Sequence, residues 1–337
     1  MRWNCHGKRE NAVESNRSAK WFPVRKGFFE TVFSRKQMFV RAVDGISFEI
    51  EKGEIFGLAG ESGSGKTTTG RVLLRLIEPT SGKIFFGGED VTALPEKGLK
   101  PLRRRMQMMF QDPYESLNPR MTVSTIVAEP LRVQKTFSEE AKIEERVKEA
   151  IADVELLPPE EFLYRFPHEL SGGQRQRVSI ARAFILRPEF LVADEPVSML
   201  DVSIRAGILN MMLDLVEKFN VSFLYITHDM ALARHMCDRL AIMYLGKIME
   251  MGLAEKIVYE PLHPYTKALI SAVPLPDPTS KRSETVIPGE IPSPVSPPPG
   301  CRFHTRCPVK IGKICSTKEP ALIDVGDGHY VACHKYP

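Results

Sequence analysis

The sequence predicts an α/β fold with a helical insertion, and three observations predict it. An apolar run at 55–59 leads through a glycine-rich loop into a helical pattern starting at Thr67. Strand-like and helix-like segments alternate again from 178 to 249. Between these stretches, residues 113–175 hold few strand-like runs and a charged, helically spaced segment at 142–157.

In chain order, dense apolar residues at 43–50 and 55–59 read as two strands punctuated by Gly53. Leu73, Leu74 and Ile77 continue a helical face from Thr67 until Glu78-Pro79-Thr80-Ser81-Gly82 stops it. In the insertion, Ile143, Val147, Ile151 and Val154 fall at helical spacing. Then come a strand at 190–193, a helix after Ser203, a strand at 222–226, a helix after Met230 and a strand at 240–244. Nine prolines crowd 274–299, a density that a packed helix or sheet does not tolerate. The expected organisation is a basic leader over 1–20, a core over 21–260 and a proline-rich extension or linker over 261–300. An irregular cysteine-rich tail over 301–337 completes it.

Composition excludes several classes. The chain has 337 residues, of which 43% are hydrophobic and 26% charged, enough apolar material for a large core and too much for disorder throughout. No stretch approaches the roughly 18–20 apolar residues of a spanning helix. The first thirty residues lack the apolar centre of a signal peptide, so secretion by that route is not expected. The net charge of +4 hides an asymmetry: residues 1–41 carry ten Lys/Arg against Glu10, Glu14 and Glu30, a net +7 that leaves −3 for the rest. Such an arm reads first as a solvated leader and second as a contact for acidic lipid or nucleic acid.

Gly60-Glu61-Ser62-Gly63-Ser64-Gly65-Lys66-Thr67 fits the G-x-x-x-x-G-K-[ST] phosphate loop in full, between a strand and a helix. Gly60, Ser62, Gly63, Ser64 and Gly65 bring backbone N–H groups around phosphate oxygens. Lys66 reaches the β- and γ-phosphates, Thr67 ligates Mg²⁺, and Thr68 joins the nucleotide-binding set. A Mg²⁺-nucleotide also needs a carboxylate at the end of a neighbouring buried strand, and Phe190-Leu191-Val192-Ala193-Asp194 supplies it. Asp194 on the metal and Glu195 over the γ-phosphate would divide metal organisation from activation of water.

Leu170-Ser171-Gly172-Gly173-Gln174 opens a helix about twenty residues before Asp194, and with the two motifs above it resembles the ATP-binding-cassette ATPases. The resemblance implies that Ser171, Gly172, Gly173 and Gln174 bind the nucleotide of a partner cassette. It implies a glutamine loop at Gln111, serving Mg²⁺ and catalysis, and a switch histidine at His228 facing the γ-phosphate. Ser198-Met199-Leu200-Asp201 is similar to the family's loop after the Mg²⁺ strand, with Met199 where Ala is usual, and makes Asp201 a further nucleotide-site residue. Glu195 is the implied general base, with Lys66, Gln111 and His228 as its catalytic companions. Because the chain holds one motif set, the resemblance implies a cassette dimer with two composite ATP sites. An adenine-stacking aromatic is expected upstream, with Phe22 favoured over Phe33 and Phe39.

Residues 102–123 and His263-Pro264-Tyr265-Thr266-Lys267-Ala268-Leu269 resemble the dipeptide/oligopeptide importer branch. Within it, Thr68-Thr69-Gly70-Arg71 and the segment from Gln111 to Val123 are similar to the F-type subunit. That implies a homologous D-type ATPase subunit or a second copy as cassette partner, two transmembrane permeases, an external solute-binding protein, and a peripheral place on the cytoplasmic face of the membrane. Nucleic acid is not an expected partner.

Cys301, Cys307, Cys315 and Cys333 are spaced by five, seven and seventeen residues and suit either a zinc ion or an iron–sulfur cluster. Paired C-x-x-C units are missing. The branch resembled implies a [4Fe–4S] cluster on these four cysteines, with Zn²⁺ as the alternative and His304 and His334 as substitute ligands. A rival reading makes the chain a soluble cassette ATPase of translation or DNA repair, but it has a single cassette and no long coiled coil or aromatic-rich basic face. A regulatory protein with a dead site would show damage at Lys66, Glu195 or His228, and all three are intact.

Overall fold

A computed structural model describes residues 10–24, 37–112, 116–273 and 287–336. Cys5, Phe33, Pro113-Tyr114 and the prolines at 274, 276 and 278 lie outside the described residues.

Among the described residues, two sheets carry the fold. The smaller is antiparallel in the order β2-β1-β4-β5, from strands β1 (Asn11–Pro23), β2 (Phe39–Glu51), β4 (Ser81–Phe86) and β5 (Glu89–Asp90). The larger has eight strands. Its centre is β3 (Ile55–Ala59), β6 (Met106–Met109), β7 (Phe190–Asp194), β8 (Ser222–Thr227) and β9 (Arg239–Tyr244), all parallel, in the order β9-β3-β8-β7-β6. Antiparallel β10 (Lys247–Leu253), β12 (Tyr330–Val331) and β11 (Ile323–Asp324) extend it beyond β9.

The continuous apolar runs of the central strands follow from burial on both faces. Phe190 and Val192 of β7 face one core with Leu224 and Ile226 of β8, while Leu191 and Ala193 face the other with Phe223 and Tyr225. The first core is closed by the antiparallel sheet, α1 (Lys66–Leu73) and α2 (Glu96–Arg105). The second holds the helical insertion of α3 (Val123–Val133), α4 (Glu140–Asp153) and α5 (Glu160–Leu163), then α6 (Gly172–Phe184) and α7 (Val202–Phe219). Short helices α8 (Met230–Met236), α9 (Ala254–Tyr259), α10 (Pro264–Ser271) and α11 (Ile314–Thr317) complete the chain.

Three expected boundaries move. Residues 11–20, placed in a leader, form most of β1, which pairs with both β2 and β4. Its apolar alternation is broken because Ser15 and Ser18 are buried, their hydroxyls donating to the carbonyls of Ile46 and Lys83, and because bulges interrupt the pairing. The first part of the supposed proline linker is core: His263, Tyr265, Thr266 and Ala268 are buried on or beside α10. The cysteine tail is continuous with the main fold, since Cys301 and Phe303 lie in the second core and β12 pairs with β10.

At the turn into β3, the Glu54 carboxylate is 3% exposed and accepts from the Glu51 N–H at 2.7 Å. Burial pushes Glu54 from 4.5 up to about 7, against the pull of Arg239. Because the folded value is raised, its stabilisation is complete below about pH 4.5 and is lost as pH rises through 7. Glu54→Gln removes that slope. Unfolding free energies from urea titrations taken across this window are expected to shift in favour of the variant, relative to wild type, by up to about 3 kcal/mol.

Candidate nucleotide-binding site

Parallel strands end at one edge of their sheet, and loops after such ends form the ligand crevice of open α/β sheets. Here the phosphate loop follows β3, Gln111 follows β6, Asp194 ends β7 with Glu195 just after it, and His228 follows β8. The register places Ala59 beside Thr227, Asp194 beside Ile226 and Met109 beside Ala193. Residues separated by up to about 170 positions thus share one cleft.

The phosphate loop needs its glycines. Gly65 has φ 108°, and a Cβ there would stand 2.0 Å from the Ala42 carbonyl oxygen. Lys66 follows at the start of α1, buried, its Nζ donating to the carbonyls of Gly60 (2.8 Å) and Glu61 (3.0 Å). Burial pulls its ammonium below the usual lysine range, while Glu195, Asp194 and Glu61 oppose that pull. The Ser64 hydroxyl is buried without a hydrogen-bond partner among the described residues. Ser62 is exposed at the loop tip, and Thr68 lies in the first turn of α1.

Thr67 Oγ1 donates to Asp194 Oδ1 at 3.0 Å. Burial raises the Asp194 carboxyl, and the Thr67 hydrogen bond opposes the rise. A hydroxyl and a carboxylate converging at a phosphate loop are the hard oxygen donors that suit Mg²⁺. Glu195 sits beyond with φ 48°, a left-handed backbone unusual for a residue with a side chain. Its Oε2 accepts from Gln111 Nε2 at 3.1 Å and its Oε1 meets His228 Nδ1 at 3.1 Å. Thr67, Arg71, Phe110, Gln111 and Asp194 help line a cleft of about 390 Å³. A cavity of about 630 Å³ between the antiparallel sheet and the tail contains none of the motif residues, so cavity size does not locate the chemistry.

The serine loop stands apart from this cluster. Ser171 caps α6, its Oγ accepting from the Gln174 N–H (3.2 Å) while Gln174 Oε1 accepts from the Ser171 N–H (3.0 Å). Gly172 lies in the first turn of α6, and a Cβ on buried Gly173 would stand 3.0 Å from Ile204. Asp201 begins α7 as its N-cap residue. No hydrogen bond or ion pair among the described residues joins 171–174 to the phosphate loop. Around them Met199, Val202 and Ile204 are exposed.

Phe22 pairs with Val40 on β2, two residues from the Ala42 carbonyl that abuts Gly65, and its ring is partly exposed. Phe39 is equally exposed and leans on Trp21, with 6.4 Å between ring centroids.

All four tail cysteines line one small cavity together with His263, His304 and His334. Burial raises the thiols of Cys301, to about 11, and of Cys307 and Cys333. No group of three or more His, Cys, Asp or Glu among the described residues is placed to hold a metal ion. His304 Nδ1 meets the Cys301 carbonyl at 2.8 Å and His334 Nε2 the Lys318 carbonyl at 2.7 Å, so each histidine has its other ring nitrogen left for a ligand.

Two further contacts hold the phosphate loop from a distance. Tyr265 Oη accepts from the Glu61 N–H at 2.9 Å, and Arg306 pairs with the Glu61 carboxylate. Both partners are some two hundred residues or more from Glu61, so no local pattern signals them.

Residues 43–198 match the ABC transporter family, and residues 249–315 match the oligopeptide/dipeptide transporter C-terminal region. The oligopeptide transport ATP-binding protein AppF of Bacillus subtilis is 48% identical over 330 residues, covering 97% of this chain and 98% of that protein. A putative peptide import ATP-binding protein of Brucella ovis is 49% identical over 294 residues, 87% of this chain and 92% of its own. Among solved structures, the chain is similar to the dimeric post-hydrolysis state of the ATP-binding cassette MJ0796 bound to ADP and Pi. There the TM-score is 0.62 and the identity 26%, over 72% of this chain and 98% of that one.

Proposed function

The chain belongs to the ABC transporter family, among its oligopeptide and dipeptide transport ATP-binding proteins, and we propose that it hydrolyses ATP to power peptide import through membrane permeases. The observation that carries this reading is the convergence of Gln111, Glu195 and His228 beside the Thr67–Asp194 pair at the mouth of an intact phosphate loop.

The residues divide the work. The phosphate loop from Gly60 to Thr67, with Thr68, binds the phosphates, and Lys66 exchanges its carbonyl partners for phosphate oxygens. Thr67 and Asp194, with Gln111 beside them, would hold Mg²⁺, which neutralises charge on the β- and γ-phosphates when bound. Glu195 takes the proton from the attacking water. Each of its oxygens keeps a lone pair free beyond its contact with Gln111 or His228. Gln111 and His228 orient that carboxylate. Phe22 stacks on adenine, supported by its place beside the loop's flank.

Ser171, Gly172, Gly173, Gln174 and Asp201 act on the nucleotide of a second cassette. The capped, exposed start of α6 and the apolar surface at Met199, Val202 and Ile204 support that interface. The solved MJ0796 cassette is likewise dimeric. The second cassette is a homologous D-type subunit or another copy. Two permeases and an external solute-binding protein complete the importer, with this chain peripheral at the cytoplasmic face. Among the described residues no helix is long and apolar enough to cross a membrane. The four thiols that share one cavity would hold a [4Fe–4S] cluster, with a zinc ion as the alternative.

Glu195→Gln is expected to bind ATP while turnover falls by roughly 10²–10⁴ in kcat; undiminished hydrolysis would remove Glu195 from this role. Purification of the chain from its own cells in mild detergent is expected to bring down two multi-spanning proteins and a homologous ATPase. Soluble ribosomal or repair partners with no membrane protein would overturn the transport reading. Protein prepared without oxygen is expected to contain iron and acid-labile sulfide, both lost in Cys307→Ser; zinc in their place would end the cluster reading.

A further inference from the structure

We propose that Arg306, from the cysteine tail, is a positioning residue for nucleotide binding that cancels the charge of Glu61 beside the bound triphosphate. The inference rests on the nucleotide-site reading above and deepens it.

A carboxylate inside a phosphate loop is a conflict of like charges. Glu61 lies between Gly60 and Ser62, and its own carbonyl accepts from Lys66 Nζ. A triphosphate wrapped by this loop would meet the Glu61 charge at short range in a partly desolvated site, where such repulsion is weakly screened. Arg306 answers it. Its Nη1 donates to Glu61 Oε2 at 2.8 Å and its Nη2 to Oε1 at 3.3 Å, a two-pronged pair in which the Arg306 side chain is 9% exposed and that of Glu61 24%.

The geometry is built rather than incidental. The Arg306 N–H donates to the Phe303 carbonyl, so the guanidinium sits on a tight turn whose Phe303 ring is fully buried. That ring packs against Tyr244 and Tyr265, with centroids 5.4 and 5.3 Å away. Tyr265 holds the Glu61 N–H, and the Arg306 guanidinium lies 5.9 Å from the Tyr244 ring centroid. The same small cluster therefore holds the backbone of Glu61 and neutralises its side chain.

Charge compensation predicts an order that simple scaffolding does not. The Glu61–Arg306 pair sums to zero in wild type, −1 in Arg306→Met, +1 in Glu61→Gln and zero again in the double variant. The measurement is equilibrium binding of a non-hydrolysable ATP analogue with Mg²⁺ to the full chain. Arg306→Met is expected to weaken binding roughly threefold to tenfold, with a smaller loss for AMP than for the ATP analogue. Glu61→Gln is expected to bind at least as tightly as wild type, and the double variant to return to within about twofold of it. A double variant as weak as Arg306→Met, an equal loss for AMP, or an Arg306→Met that matches wild type overturns the proposal. Should Arg306→Met fail to fold, Glu61→Gln alone decides, because weaker binding there contradicts charge compensation. A wild-type chain that bound none of these nucleotides would instead overturn the nucleotide-site reading.

Discussion

The architecture depends on one constraint, the burial of a parallel sheet on both faces. Parallel strands in one sheet can only be connected through crossovers, and crossovers return each strand in the same direction. Every loop that follows such a strand then emerges at the same edge. Four loops, after β3, β6, β7 and β8, meet there because Leu191 and Val192, their partners Phe223 and Leu224 on β8, and Ile55 and Phe56 on β3 are all buried and apolar. The chemistry is assembled by the same residues that exclude water.

At that edge the protein holds charges in surroundings that disfavour them. Burial lowers the Lys66 ammonium and raises the Asp194 carboxyl, each moved toward its neutral form, and each is kept in place by a specific partner. Glu195 stands in a left-handed conformation of the kind that costs about 1–3 kcal/mol. The backbone around it overdetermines that geometry: its N–H donates to the Ile226 carbonyl, and its own carbonyl accepts from both the N–H and the hydroxyl of Ser198. Strain and buried charge sit where water and phosphate would react.

The cysteine tail is welded to this site by polar and aromatic contacts. Arg302 forms an ion pair with Asp44 of β2, which also accepts from the Trp21 indole N–H. Fully buried Glu250 of β10 accepts from the backbone N–H groups of Leu262 and His263 and contacts His329 Nε2 at 2.8 Å. A buried carboxylate without those partners would be costly, so the extension, the tail and β10 depend on one another.

Much of this was legible in the chain because its signals are local. The phosphate loop, the apolar run into Asp194, the serine-capped start of α6 and the residues after each strand are short patterns whose physics acts over a few positions. β1 was not legible, since its buried serines break the alternation and only β2 and β4 supply their partners. The tail's cysteines were legible as residues, but their placement was not: spacing says nothing of where thiols converge. Nor could any pattern join Arg306 and Tyr265 to Glu61. The sequence by itself determined the fold class and the chemistry of each motif. Tertiary structure decided which distant charges meet, because an ion pair's strength depends on distance and burial, and neither is set until the chain has packed.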